Sequence, residues 1–110
     1  MKLNDNSLFR QQCFIGGQWV NADSGETMDV VNPANGETIG TMPAAGASET
    51  RRAIEAADVA WPAWRKLTAK ERAAIIREWH DLVLANADDL AMLMTLEQGK
   101  PLAEAKGEIA

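Results

Sequence analysis

The sequence predicts an α+β fold in which two short β-hairpins are followed by three to four amphipathic α-helices. Up to residue 42, apolar residues occur in short runs around turn-forming residues, which is typical of hairpins. From Ser48 onward they recur with the 3.6-residue period of a helix. Strands and helices do not alternate, so the chain lacks the pattern of a parallel βαβ sheet.

The first hairpin is predicted by two apolar runs that flank Gly16-Gly17, namely Cys13–Ile15 and Gln18–Val20. A two-residue glycine loop suits the tight turn of a β-hairpin, because both central residues need positive φ. The polar residues 1–12 before it are predicted to form a loosely ordered N-terminus.

The second hairpin is predicted from Met28–Val31 and Thr38–Met42, which flank the turn-rich segment Asn32–Gly36. A two-stranded hairpin is marginally stable by itself in water. Both hairpins are therefore expected to pack on something larger.

The first helix is predicted to start at Ser48, a residue type favoured at N-caps. Its apolar stripe is Ile54, Ala57, Trp61 and Trp64. Proline inside a helix removes a hydrogen bond and clashes with the preceding turn, so a break is predicted at Trp61-Pro62.

The second and third helices have clearer signals. Thr68 and Glu71 have the spacing of a capping box, in which each side chain bonds the backbone of the other. One face of the helix that follows is apolar, and it comprises Ile75, Ile76, Trp79, Leu82 and Val83. Asn86 is predicted to cap a helix over Asp88–Gln98.

The end of this third helix is the most informative stretch. Gly99 is suited to the left-handed conformation that ends a helix, and Pro101 to the first turn of a fourth. Glu97 occupies position i+7 on the face of Leu90, where an apolar residue is expected. A carboxylate there needs a cation or hydrogen-bond donors. Lys100 and the backbone amides of the next helix are candidate donors.

Composition narrows the possible functions. The chain has 110 residues, enough for one domain, with 46% hydrophobic residues and a formal net charge of −5. This charge argues against nucleic-acid or anionic-membrane partners, which need basic clusters. No run has the length of a membrane span or the pattern of a signal peptide. One cysteine allows no internal disulfide, so a cytoplasmic location is expected.

Neither Cys13 nor His80 is predicted to be catalytic. Cys13 begins a strand and has no cation or base beside it in sequence to lower its pKa. His80 has no visible partner nucleophile, and one histidine with one cysteine is too few for a zinc site. The four tryptophans are expected to pack rather than to stack on bases, given the acidic chain.

The sequence resembles the aldehyde dehydrogenase family, most closely its bacterial NAD(P)-dependent succinate-semialdehyde dehydrogenases. Four segments carry the likeness in the same order, over about Leu8 to Ala110. They are Phe14–Val20, Val31–Glu37, Trp64-Arg65 with Leu67-Thr68-Ala69-Lys70-Glu71-Arg72, and Leu96–Pro101 followed by Leu102-Ala103-Glu104-Ala105.

The resemblance implies that residues 13–110 are the truncated N-terminal portion of a cofactor-binding domain in the α/β aldehyde dehydrogenase fold, with hairpins over 13–42 and helices over 48–110. Family members oxidise an aldehyde with NAD or NADP through a cysteine, and they are several times longer. Their catalytic and cofactor-binding residues lie further along the chain. This chain alone is therefore expected to be inactive, to bind no cofactor, and to belong to a homo-oligomeric enzyme acting on a small aldehyde.

The resemblance also implies one metal site. In many family members, an acidic residue and a main-chain carbonyl hold a structural monovalent cation at positions that match Glu97 and Val31. The alternative to an enzyme part is a truncated helical interaction or regulatory module. A complete module is expected to cap its last helix. The apolar stripe of Leu102, Ala105 and Ile109 instead reaches the end of the chain at Ala110 without a cap, which favours a truncated chain.

Overall fold

The computed structural model describes residues 2–110, and its elements follow the predicted order. The strands are β1 (Cys13–Ile15), β2 (Gln18–Val20), β3 (Thr27–Val31) and β4 (Thr38–Pro43), and the helices are α1 (Ala47–Lys66), α2 (Ala69–Ala85), α3 (Ala87–Gln98) and α4 (Leu102–Ile109). Strands β1 and β2 form one two-stranded sheet, and β3 and β4 form another. The predicted α+β architecture is confirmed.

The first hairpin has the predicted turn and register. Gly16 and Gly17 have φ of 58° and 79°, so both adopt the positive values that the tight turn requires. Phe14 lies opposite Trp19, and their ring centroids are 5.0 Å apart. This aromatic pair joins the two strands across one face of the sheet.

Helix α1 corrects two predictions. Its N-cap is Gly46 and not Ser48, because the Glu49 carboxylate accepts the Gly46 N–H at 2.9 Å from the third helical position. The helix also continues through Pro62 to Lys66 rather than breaking at Trp61. The 20 residues of the helix leave enough hydrogen bonds on both sides of Pro62 to tolerate the one that proline removes.

Helix α2 begins with the predicted capping box. The Thr68 N–H donates to Glu71 Oε2 at 2.7 Å, and the Glu71 N–H donates to Thr68 Oγ1 at 3.3 Å. Two free N–H groups at the start of the helix are thereby satisfied. The N-terminal boundary of α2 was thus correctly predicted.

Helices α3 and α4 are joined at Gly99, whose φ of 77° confirms the predicted left-handed end of α3. Asn86 precedes α3 as predicted, but its side chain does not cap the helix. Instead, Asn86 Nδ2 donates to the Leu82 carbonyl at 2.8 Å, the end of the preceding helix. Lys106 of α4 pairs with Asp88 of α3 at 2.7 Å.

The chain divides into two compact units, one formed by the described residues up to Arg10 with Asp29–Gly40 and Ile76–Ala110, and one by Gln11–Met28 and Thr41–Ile75. Burial is sparse in the part of the chain that is described. Besides Pro43, the buried apolar residues are Leu3, Ala22, Ala91 and Ala105. No large side chain within residues 2–110 is fully buried.

The predicted apolar faces of α1 and α2 are therefore largely exposed. Of the α2 face, Trp79 is 68% exposed and Leu82 is 64% exposed. On α4, by contrast, Ala105 is completely buried and Ile109 is partly buried. The most exposed apolar side chains of the first unit thus lie on α2, whereas the α4 stripe is exposed at Leu102 and buried at Ala105. Whether the stripe continues beyond Ala110 stays a prediction.

The N-terminal segment has defined contacts in the first unit. It contains a short 3-10 helix, Asn6–Leu8, and Leu3 is buried. How loosely residues 1–12 are held stays a prediction.

Candidate functional site

The single cysteine and the single histidine of the chain lie in different surroundings. Cys13 is half-buried in β1, and no side chain of the described residues hydrogen-bonds its thiol. His80 lies on α2, exposed, with Nδ1 3.0 Å from the neighbouring Asp81 carboxylate. A catalytic base must reach the group that it deprotonates, and neither arrangement shows a partner of that kind.

The helix starts do not fit a dinucleotide cofactor. A pyrophosphate binds where a helix presents free N–H groups and its positive end. Here the first turn of every α-helix in residues 2–110 carries a carboxylate, namely Glu49, Glu71, Asp88 with Asp89, and Glu104. These negative charges compete with a phosphate for the same position. Among residues 2–110, the four helix starts therefore do not favour a pyrophosphate, and the absence of a cofactor site from this chain stays a prediction.

The segments that contain Glu97 and Val31, the predicted cation ligands, lie side by side. Val31 ends β3, and Pro33 in the following turn lies against Gly99, two residues beyond Glu97. Glu97 is exposed near the C-terminal end of α3, where the helix dipole favours a positive charge. A carboxylate, a main-chain carbonyl and a helix end are oxygen groups that hard cations accept.

Glu97 does not form the ion pair considered from the sequence. Lys100 Nζ pairs with Glu108 of α4 instead. Among the described residues, none donates a hydrogen bond to the Glu97 carboxylate. Its oxygens are thus available to a ligand, and the cation site stays a prediction.

Two acidic residues that the sequence did not single out are buried and fully engaged. The Asp89 carboxylate, 6% exposed, accepts the Asn4 N–H at 2.9 Å, the Asn4 Nδ2 at 3.1 Å and the Asp5 N–H at 2.8 Å. It anchors the N-terminal segment to the first turn of α3. No local pattern predicts a contact across so many residues.

The second such residue is Glu49, which is 4% exposed. Its carboxylate accepts the Asp23 N–H at 2.6 Å as well as the Gly46 N–H. These backbone hydrogen bonds, that of Asp23 first, lower the pKa of Glu49 from 4.5 to about 2. The spacing from Gly46 to Glu49 is the available sequence signal, because a carboxylate at the third helical position often bonds the cap N–H.

Asp23 extends this cluster to Arg52. The guanidinium donates to both carboxylate oxygens, at 2.7 and 2.8 Å. This bidentate ion pair lowers the pKa of Asp23 and raises the pKa of Arg52. The cluster fixes the loop before β3 to the start of α1, which is a structural arrangement.

Two further kinds of site have structural requirements that residues 2–110 do not meet. No helix there combines the length and apolar character needed to cross a bilayer. No group of three or more acidic, histidine or cysteine side chains there has metal-binding geometry. A cation held by Glu97 and a main-chain carbonyl is not a group of that kind.

Comparison with known proteins identifies the family. The model of the aldehyde dehydrogenase family matches residues 19–110. The chain is 66% identical to glutarate-semialdehyde dehydrogenase of Pseudomonas putida and 64% identical to the NADP(+) succinate-semialdehyde dehydrogenase of Escherichia coli, over 100% of this chain and 23% of each relative. This chain therefore belongs to the aldehyde dehydrogenase family, as its sequence motifs predicted.

Solved structures agree with this assignment. A crystal structure of an NADP-dependent enzyme from E. coli has a TM-score of 0.95 and 65% identity, covering 98% of this chain and 22% of that one. Succinate-semialdehyde dehydrogenase from Burkholderia pseudomallei has a TM-score of 0.95 and 62% identity, covering 99% and 23%. The chain thus spans less than a quarter of the length of these relatives.

Proposed function

We propose that this chain is the N-terminal part of an NAD(P)-dependent aldehyde dehydrogenase that oxidises succinate semialdehyde to the carboxylic acid. The observation that carries the proposal is identity of 64–67% to semialdehyde dehydrogenases over all 110 residues. Oxidation of an aldehyde by this class adds the oxygen of water and passes a hydride to the nicotinamide cofactor.

The chemistry of the relatives' substrates supports an anionic aldehyde. Succinate and glutarate semialdehydes each carry a carboxylate at the far end from the aldehyde. The 3-sulfolactaldehyde dehydrogenase of P. putida, 53% identical, is named for a substrate with a sulfonate. One anionic group in addition to the aldehyde is common to all three. Succinate semialdehyde is the substrate to test first, with glutarate semialdehyde beside it.

In this proposal, residues 13–110 are scaffold for the cofactor-binding domain and hold neither substrate nor cofactor. The acidic helix starts support this division, because they leave no site for a pyrophosphate. The environments of Cys13 and His80 support it further. The isolated chain is therefore proposed to be inactive and to bind no NAD or NADP.

Three further properties of the intact enzyme are part of the proposal. Glu97 and the Val31 carbonyl hold a structural monovalent cation, supported by the approach of Pro33 to Gly99. The enzyme is a cytoplasmic homo-oligomer. It binds no nucleic acid or membrane, in keeping with the net charge of −5.

The test uses a joined protein, in which residues 1–110 replace the matching segment of the E. coli relative. We expect the joined protein to reduce NAD(P)⁺ in the presence of succinate semialdehyde. The isolated chain is expected to give no reduced cofactor above the blank. Its own turnover would contradict the scaffold assignment.

The same measurement separates the enzyme from the alternative, a regulatory or interaction module. A joined protein that folds as the E. coli relative does but lacks activity would favour the module. Activity retained with both semialdehydes would support the enzyme class but not the preference for succinate semialdehyde. The substrate-holding residues of the joined protein come from the E. coli relative, so the ratio of kcat/KM for the two substrates has to be measured on this protein's own full-length enzyme to decide that preference.

A further inference from the structure

Asn35 is the only asparagine of the chain that is followed by glycine. Asn35 and Gly36 lie in the turn between β3 and β4, and both are exposed. Asparagine is a thermolabile residue, and it reacts most readily before glycine, because glycine has no side chain beside its amide nitrogen. The sequence of this turn is therefore prone to deamidation, the loss of the side-chain amide.

Deamidation at this position takes two steps and needs water as its only other reactant. In the first step the Gly36 nitrogen attacks Asn35 Cγ, so that an N–Cγ bond forms and the Cγ–Nδ2 bond breaks. The proton of the Gly36 nitrogen leaves with Nδ2 as ammonia, and a five-membered succinimide ring remains. Water then opens the ring at either carbonyl and leaves an aspartate or an isoaspartate. The conformation of the turn therefore decides how fast the first step occurs.

The attacking nitrogen is held in a hydrogen bond. The Gly36 N–H donates to the Asn32 carbonyl at 2.8 Å, and this bond across four residues closes one helical turn. Attack requires the loss of the proton that the bond holds. In a helical turn, Cβ also lies out of the plane of the following peptide group, whereas the succinimide ring is close to planar. The backbone must therefore leave the turn before the ring can close.

The Asn35 side chain is held at both of its polar atoms by Glu37. Asn35 Nδ2 donates to Glu37 Oε2 at 2.8 Å, and Asn35 Oδ1 accepts the Glu37 N–H at 3.0 Å. Both partners belong to the residue beyond Gly36, so a movement of Cγ onto the Gly36 nitrogen disrupts these bonds. Asn32 fixes the other side of the turn, because its Oδ1 accepts the Ala34 N–H at 2.9 Å and its N–H donates to the Glu37 carbonyl at 2.9 Å.

We infer that Asn35-Gly36 is a deamidation site that the folded turn protects and that reacts when the turn opens. The product has a carboxylate where the amide donated to Glu37, so two negative charges face each other and repel. The turn therefore does not return to its original state, and each reaction leaves a permanent record that the turn opened. The inference goes beyond the proposed function and does not depend on which aldehyde is oxidised.

The test compares the joined protein in buffer and in guanidinium chloride, at the same pH and temperature over several days. A thermal melt first confirms that the sample in buffer is folded. Peptide mass spectrometry then measures the fraction of residue 35 that has become aspartate or isoaspartate. We expect this conversion to be slower in the folded protein by about tenfold or more, because the hydrogen bonds of the turn must open first. Equal rates in the two solutions would overturn the inference.

A second measurement separates the Glu37 side chain from the backbone of the turn. Glu37→Ala removes the acceptor of Asn35 Nδ2 and keeps the backbone N–H that bonds Oδ1. We expect the variant to speed conversion of residue 35 severalfold in the folded protein and to change it little in denaturant. Glu55→Ala, at an exposed glutamate of α1, is the matched control and should alter neither rate. A folded-state rate for Glu37→Ala equal to that of wild type would overturn the role given to the Glu37 carboxylate.

Discussion

Gly99 lies so close to Pro33 that a Cβ atom on the glycine would be 2.9 Å from Pro33 Cγ. The contact joins the end of α3 to the turn that follows β3. It explains why a residue without a side chain occurs at this position, beyond the need for a left-handed conformation. Both the left-handed backbone conformation and the close contact with Pro33 thus require glycine at position 99.

Replacing Gly99 with alanine is expected to destabilise the chain. The left-handed conformation alone costs about 1–2 kcal/mol for a residue with a Cβ, and the contact with Pro33 adds overpacking of about 1–3 kcal/mol. Gly107→Ala in α4 is the matched control, since nothing lies within 4 Å of the added atom. For Gly107→Ala we expect the free energy of unfolding to rise by about 1 kcal/mol. Urea unfolding of both variants checks that Gly99→Ala lowers the free energy of unfolding and Gly107→Ala raises it.

The Glu49 carboxylate is expected to make stability depend on acid pH. Its folded-state pKa of about 2 lies below the ordinary value of 4.5, so the unfolded chain binds the proton more readily. The stabilisation is complete above pH 4.5 and is lost as the pH falls through about 2. Glu49→Gln should lower the melting temperature most at neutral pH. The difference in melting temperature from wild type should shrink as the pH falls from 4.5 to about 2.

The matched control for that measurement is Glu55→Gln, an exposed glutamate on the same helix. It should leave the melting temperature nearly unchanged at every pH. A difference between Glu49→Gln and wild type that is constant from neutral pH down to about 2 would show that the carboxylate charge is not responsible.

Thr95 in α3 has a buried hydroxyl with no hydrogen-bond partner among residues 2–110. An unpaired buried polar group is unfavourable, and replacing it with a methyl of similar shape is neutral or stabilising. We expect Thr95→Val to leave the free energy of unfolding of the chain unchanged or to raise it. Thr68→Ala, which removes the α2 cap, should lower it by about 1 kcal/mol. A loss at Thr95→Val as large as at Thr68→Ala would mean that the hydroxyl has a partner.

Glu97→Gln tests the proposed cation site in the joined protein. An ion bound by the folded state alone stabilises it by RT ln(1 + [L]/Kd), about 2.7 kcal/mol at a hundredfold excess over Kd. We expect thermal melts of wild type to differ among NaCl, KCl and a bulky organic cation at constant ionic strength. The variant should lose most of this dependence. The same dependence in both proteins would rule out an ion at Glu97.

Local signals predicted much of this fold because the interactions concerned are themselves local. The Gly16-Gly17 turn, the Thr68–Glu71 capping box and the left-handed Gly99 each depend on residues within a few positions of one another. The Pro62 prediction failed because the rest of a long helix compensated for a single missing hydrogen bond.

Long-range interactions could not be predicted from local sequence patterns. Asp89 is one of two acidic residues in the first turn of α3, a position that is ordinarily exposed, whereas it is buried against Asn4 and Asp5. The period of the α2 face correctly indicated which residues share one side of the helix. It did not indicate whether that side is covered, because amphipathicity is the same for a face packed within this chain and one packed on other polypeptide.

The hydrogen bonds between Asn4 and Asp89 also constrain how the protein is made. They join residues 85 positions apart, so the first residues to leave the ribosome have no partner until most of the chain has followed. At the usual rates of translation, that interval is roughly 4–17 s. A tag or a leader sequence placed before Asn4 would therefore be attached to an unanchored segment of the nascent chain for this whole time.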